Sequence, residues 1–180
     1  MGFLLYFCLK MNFITTYKTV LAICFTFLLF SCGSKNSTNI TIPATLTADG
    51  PFFEGVNSLM APLSLDLKEL IKDETFKDAA SVQLTEVKLT IEDENVTDLA
   101  LFSNATLQFV GNTNGMTTVA ILNPLVFSGN TATLVTSDEA EIKPFFDEKE
   151  FTALLDLDFK NDEYWEGLTV QVNMSFKVEY

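Results

Sequence analysis

Arginine and histidine are both absent from this 180-residue chain, and cysteine does not recur after Cys32. Each absence removes a class of chemistry. Without histidine there is no imidazole base for a serine nucleophile, no His-ligated zinc and no histidine pH switch. Without arginine there is no bidentate fork for phosphate or carboxylate. The three cysteines, Cys8, Cys24 and Cys32, leave no disulfide framework for the rest of the chain. Positive charge is scarce as well: Lys supplies 11 cations against 24 acidic residues, for a net charge of −13. Such a surface repels phosphates, so nucleic acid is not expected as a partner, and neither is haem or NAD. An acidic balance serves solubility or attracts cations. There is no G-x-S-x-G elbow, and "GNTNG" (111–115) lacks the lysine and following helix of a phosphate loop. An enzyme is not expected.

Long apolar runs are missing too. Val20–Phe30 is interrupted only by Thr26 but is too short for a helix across a bilayer, which takes about 20 residues. It suits the core of a secretory signal, with Lys18 just before it. Residues 1–31 are therefore assigned to the signal peptide. The expected start is Met11, because "MNFITTYKTVLAICFTFLLFS" already has the usual order of regions.

At the junction stands Leu29-Phe30-Ser31-Cys32. This segment resembles the lipobox of bacterial lipoproteins, with an aliphatic residue, a tolerant position, a small residue and then cysteine. The resemblance implies that Cys32 carries a diacylglyceryl group, that cleavage falls before it, and that its new amine is acylated. Each buried methylene contributes about 0.8 kcal/mol and one chain holds only marginally, so two or three chains make a lasting anchor. The mature chain is then anchored to a membrane without spanning it. Gly33 stands where an aspartate would signal inner-membrane retention in that family. "GSKNSTN" also lacks the acidic residues that mark surface export in Bacteroidetes-type lipoproteins. The resemblance thus points to the outer membrane, facing the periplasm.

Lys10 and Lys18 precede Cys32, which leaves nine lysines against all 24 acidic residues in Cys32–Tyr180, a net charge of −15. That stretch suffices for one domain with a real core. Residues 32–39 read as the lipidated cysteine and a polar tether reaching roughly 20 Å, and residues 40–180 as the domain. There the hydrophobic period is mostly two. "LTVQVNMSFKVEY" alternates without a fault from Leu168 to Tyr180, and "FTALLDLDF" puts Phe151, Ala153, Leu155, Leu157 and Phe159 on one face. In "SVQLTEVKLTIED" the alternation slips by one step, which predicts a β-bulge near Thr85–Glu86. "TLQFV" and "MTTVAIL" are shorter strands. Turn residues punctuate the chain at 48–51, 92–95, 111–115, 127–130 and 160–163. "DLKELIKD" (66–73) reads as a short helix, and 138–146 as another turn that Pro144 ends. The fold expected is all-β: a single antiparallel β-sandwich of seven or eight strands with one or two short helices in the connections. A closed β-barrel is the alternative. The pattern also resembles small β-sandwich lipoproteins of Bacteroidetes-type envelopes.

Three sets of residues are candidates for function beyond the lipidation site at Cys32. Glu92, Asp93, Glu94 and Asp98 in one acidic run, and Asp138, Glu139 and Glu141 in another, gather oxygens that calcium would take. Neither run has EF-hand spacing, and solvated loops are the ordinary use of such stretches. Tyr164 and Trp165, just before the last strand, would stack on a sugar or contact a partner; in a sandwich such aromatics also plug the core. Asp156 and Asp158 lie about 7 Å apart on the polar face of one strand, a pair that would serve glycoside chemistry only in a deep cleft. The function expected is a lipid-anchored, non-enzymatic binding or structural module with an envelope protein as partner. The alternative is a carrier of a hydrophobic or glycan ligand, and a carboxylate or metal-dependent hydrolase ranks below both.

Overall fold

A computed structural model describes residues 36–180; the signal segment, the lipobox and Cys32 lie outside the described residues. Eight strands follow one another: β1 (Ser37–Asp49), β2 (Gly55–Ser64), β3 (Ser81–Thr90), β4 (Phe102–Gly111), β5 (Gly115–Leu122), β6 (Thr131–Thr136), β7 (Glu150–Phe159) and β8 (Gly167–Glu179). Two short helices sit in the connections, α1 (Leu67–Ile71) and α2 (Lys143–Glu148). Every pairing is antiparallel, and the ring closes in the order β1-β2-β7-β4-β5-β6-β3-β8.

The ladders are uneven. β1 meets β2 only where Thr47 faces Met60, and β5 meets β6 only at Ala120–Thr136 and Ile121–Val135. Proline supplies no ladder donor, and both strands of the first seam carry one, Pro43 and Pro62. Between the two seams lie two four-stranded sheets, β1-β8-β3-β6 and β2-β7-β4-β5. This is jelly-roll topology, two Greek keys folded over one core. The all-β antiparallel expectation holds. The closed ring is the barrel named as the alternative, and the long ladders give it the two facing sheets of a sandwich.

The core follows from alternation. On β7 and β8 the buried residues are those that the period of two selects, from Phe151 to Phe159 and from Leu168 to Val178. The slip in β3 is real: the register with β8 shifts between Leu84 and Glu86, and Thr85 turns outward to donate its hydroxyl to the Ser175 carbonyl. Phenylalanine from both sheets fills the middle, as where Phe109 of β4 meets Phe176 of β8 at 6.4 Å between ring centres.

One end is closed by the helices. Asp66 caps α1 by accepting from the Lys68 amide, and Leu67 is buried. Pro144 does not end a turn here, as its sequence position suggested. It lies in the first turn of α2, where its missing N–H has no intrahelical partner to lose, and the helix then buries Phe145 and Phe146. At this helix pole Asn36 and Tyr180 exchange two backbone hydrogen bonds of 2.9 Å. β1 takes in Ser37–Asn39, assigned above to the tether, because they pair with Lys177–Glu179.

Candidate functional site

Jelly-roll connectivity sends four connections, 50–54, 91–101, 123–130 and 160–166, to the end away from the helices. Backbone bonds tie these loops together. Phe52 and Glu163 exchange hydrogen bonds of 2.8 Å, and the Gly50 amide donates to Glu166 at 2.9 Å. Lys160 donates its amide to Leu101 at 3.0 Å and its ammonium to Ala100. Ile91 reaches Asn130, and Leu125 reaches Ser103. Gly50 is required there, since a Cβ would stand 1.9 Å from the Trp165 carbonyl oxygen. These are rigid loops on a rigid scaffold, the usual setting of a binding surface.

Alternation within the loops sorts their aromatic residues. Phe52 points inward, stacks on Phe159 at 5.3 Å and meets the edge of Trp165 at 6.0 Å. Phe53 points outward and is 56% exposed. Asn57 holds it from both sides, its Oδ1 accepting from the Phe53 amide and its Nδ2 donating to the Phe53 carbonyl. The next amide, Glu54, donates to Asp162 at 2.8 Å. On the facing loop Trp165 turns in against Phe52 and Phe159, whereas Tyr164 turns out and is 78% exposed. So the two aromatics named from the sequence separate, and Phe53 joins Tyr164 outside. Its signal is the same alternation that buries Phe52.

Beneath these loops lies a crevice of about 270 Å³ lined by Asn95, Thr97, Asp98, Lys160, Asn161, Glu163 and Trp165. Asp98 is committed to capping a short 3-10 turn at Leu99–Leu101. Thr97, Asn161 and Glu163 have side chains with no hydrogen-bond partner among the described residues. The crevice therefore offers a free hydroxyl, a free amide and a free carboxylate beside one indole.

The acidic runs do not assemble a calcium site. Glu92 accepts from Asn130, and Asp93 accepts from Asn95 and from the Thr169 amide. Glu94 is exposed and Asp98 is a cap, while Asp138, Glu139 and Glu141 lie on the β6–β7 connection at the opposite pole. Among the described residues no three metal-ligating side chains are placed to share an ion. Asp156 and Asp158 are bonded to the neighbouring strands: Ser58 and Gln108 donate to the first and Asn104 to the second, so both stitch β7 to its neighbours. The "GNTNG" turn does form an anion nest, with the amides of Asn112, Thr113 and Asn114 converging at 2.9–3.1 Å. Its occupant is Glu148 of α2, whose carboxyl is held below the ordinary glutamate range, first by the Thr113 hydroxyl and then by those amides.

Neither a protein-family model nor a curated protein matches this chain. Among solved structures, a chain from the structure of turnip yellow mosaic virus at 100 K is similar, with 11% identity over 79% of this chain and 94% of that one. The TM-score is 0.25.

Proposed function

We propose that this chain is a lipid-anchored, non-enzymatic binding module of a bacterial cell envelope, held by acylated Cys32 on the periplasmic face of the outer membrane. Its loop pole is offered to another envelope component. The observation that carries this reading is the polarity of the domain. Asn36 enters at the helix pole beside Tyr180 and follows Cys32 by four positions in the sequence, so a short stretch of chain joins that pole to the anchoring residue. β1 then runs 13 residues, about 40 Å of strand, towards the loops that carry Phe53, Tyr164 and the crevice. The likeness of Leu29–Cys32 to a lipobox supplies the anchor.

A carrier of a hydrophobic ligand would need an enclosed apolar space of roughly 300 Å³ or more. The interior is instead occupied by Phe102, Phe109, Phe151, Phe159 and Phe176, which supports the binding-module reading over the carrier.

The reading is tested in bacterial membranes. Cys32→Ser should release the chain from the membrane fraction. On the anchored chain, a fluorophore placed through Asn112→Cys at the helix pole should be quenched by headgroup nitroxide lipids, and one placed through Tyr164→Cys should not. Equal quenching at both positions would refute the orientation.

A further inference from the structure

We propose that the loop pole is a site for a neutral oligosaccharide, which stacks on Phe53 and Tyr164 and hydrogen-bonds into the crevice bounded by Thr97, Asn161 and Glu163. This rests on the reading of the loop pole as the binding surface and names its ligand.

A sugar ring has C–H faces and a rim of hydroxyls, so it is recognised by flat aromatic surface beside mixed donors and acceptors. The 160–166 segment presents both. Tyr164 projects from one side of it, and the Phe52–Glu163 bridge sets Phe53 on that same side. The crevice, with Asn161, Glu163 and the indole of Trp165, opens on the other. A ligand that meets both sides has to cross the segment, which takes more than one ring.

The aromatic rim is preorganised. An exposed phenylalanine on a loose loop would lose mobility on binding, but Asn57 and Asp162 already fix the backbone on both sides of Phe53. The backbone part of the ordering cost at Phe53 is thereby met on folding and not on association. Tyrosine and phenylalanine add large contact area with few torsions to freeze.

Charge selects a neutral ligand. The crevice holds Asp98 and Glu163 against Lys160, whose ammonium is already bound to the Ala100 carbonyl, and the whole chain is acidic. Sugars bearing carboxylate, sulfate or phosphate would be repelled. A basic peptide satisfies the charge, but its ammonium side chains only donate, whereas sugar hydroxyls donate and accept, as the Thr97 hydroxyl and Asn161 amide do.

Trp165 is the sole tryptophan of the chain, so its fluorescence reports on the crevice directly. The acylated chain in detergent is titrated with chitotetraose, cellotetraose and mannotetraose, then with an oligogalacturonate and a lysine-rich peptide. The expected result is a saturable change with at least one neutral oligosaccharide, unaltered by salt. Phe53→Ala and Tyr164→Ala should each weaken it tenfold or more, and Met116→Ala, on β5, should leave it unchanged. No saturable response to any neutral sugar would overturn the proposal, as would binding indifferent to both aromatic substitutions. A response to the peptide alone, lost in high salt and sensitive to Tyr164→Ala, would overturn the saccharide but leave the loop pole as a binding surface. Sugar binding by a chain that fails the membrane test would keep the site and remove the anchoring.

Discussion

Phe52 and Phe53 are adjacent in sequence and opposite in role, and the contrast can be measured. Phe52 is 2% exposed and touches the rings of Phe159 and Trp165. Removing a buried phenylalanine side chain costs about 3–5 kcal/mol, and two ring contacts favour the middle of that range or above. For a domain of 145 residues, Asn36–Tyr180, the unfolding entropy is about 0.3 kcal/mol/K. A loss of about 4 kcal/mol then lowers Tm by roughly 13 °C. Phe53→Ala removes a ring that packs mostly against solvent and leaves its backbone bonds to Asn57 in place, so it should stay within about 0.5 kcal/mol of the parent. Urea unfolding followed by far-UV circular dichroism and Trp165 fluorescence gives both numbers. If Phe52→Ala does not fold, Phe52→Leu, which leaves a smaller cavity and so costs less than the alanine, replaces it. Equal losses at the two positions, or a loss below 1 kcal/mol for Phe52→Ala, would refute the assignment of one ring to the core and the other to the surface.

Three further outcomes are expected. Gly50→Ala must displace the Trp165 carbonyl, which cannot rotate away, and should destabilise by about 1–3 kcal/mol with a shift in tryptophan emission; an unchanged melt would contradict the close approach. Glu148 has a depressed folded pKa, so its hold on the hairpin is complete above the ordinary glutamate value of 4.5 and is lost as pH falls through the lower folded value. The protection of the Asn112, Thr113 and Asn114 amides against hydrogen exchange, relative to the intrinsic rate at each pH, should fall over that acid range, and Glu148→Gln should abolish that fall. The Tyr180 phenol is raised above its usual range, first by its hydrogen bond to Asp73, so Asp73→Asn should bring its ultraviolet titration back down. A tyrosine titration identical in the two proteins would dispose of that bond.

Much of the fold was legible where the signal is local. β7 and β8 alternate strictly, so their inward faces could be named residue by residue, and the slip in β3 announced its bulge. Asp66 marked the start of α1. Pro144 was misplaced because a proline that closes one turn and a proline that opens a helix look alike until Phe145 and Phe146 find the core. β2 carries only Leu59 and Ala61 inward as buried residues, with Val56 and Met60 outside, so its pattern is weak. The seams were not legible at all. Whether the β1–β2 ladder ends at Thr47 depends on β1 pairing with β8, more than a hundred residues away. The same holds for the candidate site. Tyr164 and Trp165 drew notice as a pair, but which one turns outward is set by the bridge to Phe52 on a distant loop. The acidic runs looked alike in sequence, and only the fold sends them to opposite poles.

The central claim is that this domain is tied to a membrane at its helix pole through Cys32. Intact-mass spectrometry of the chain extracted from its own membranes tests that most directly. The account predicts a mature chain that begins at Cys32 and carries the mass of two or three acyl chains on that residue. A chain that begins elsewhere, or one with an unmodified Cys32 thiol, would contradict it.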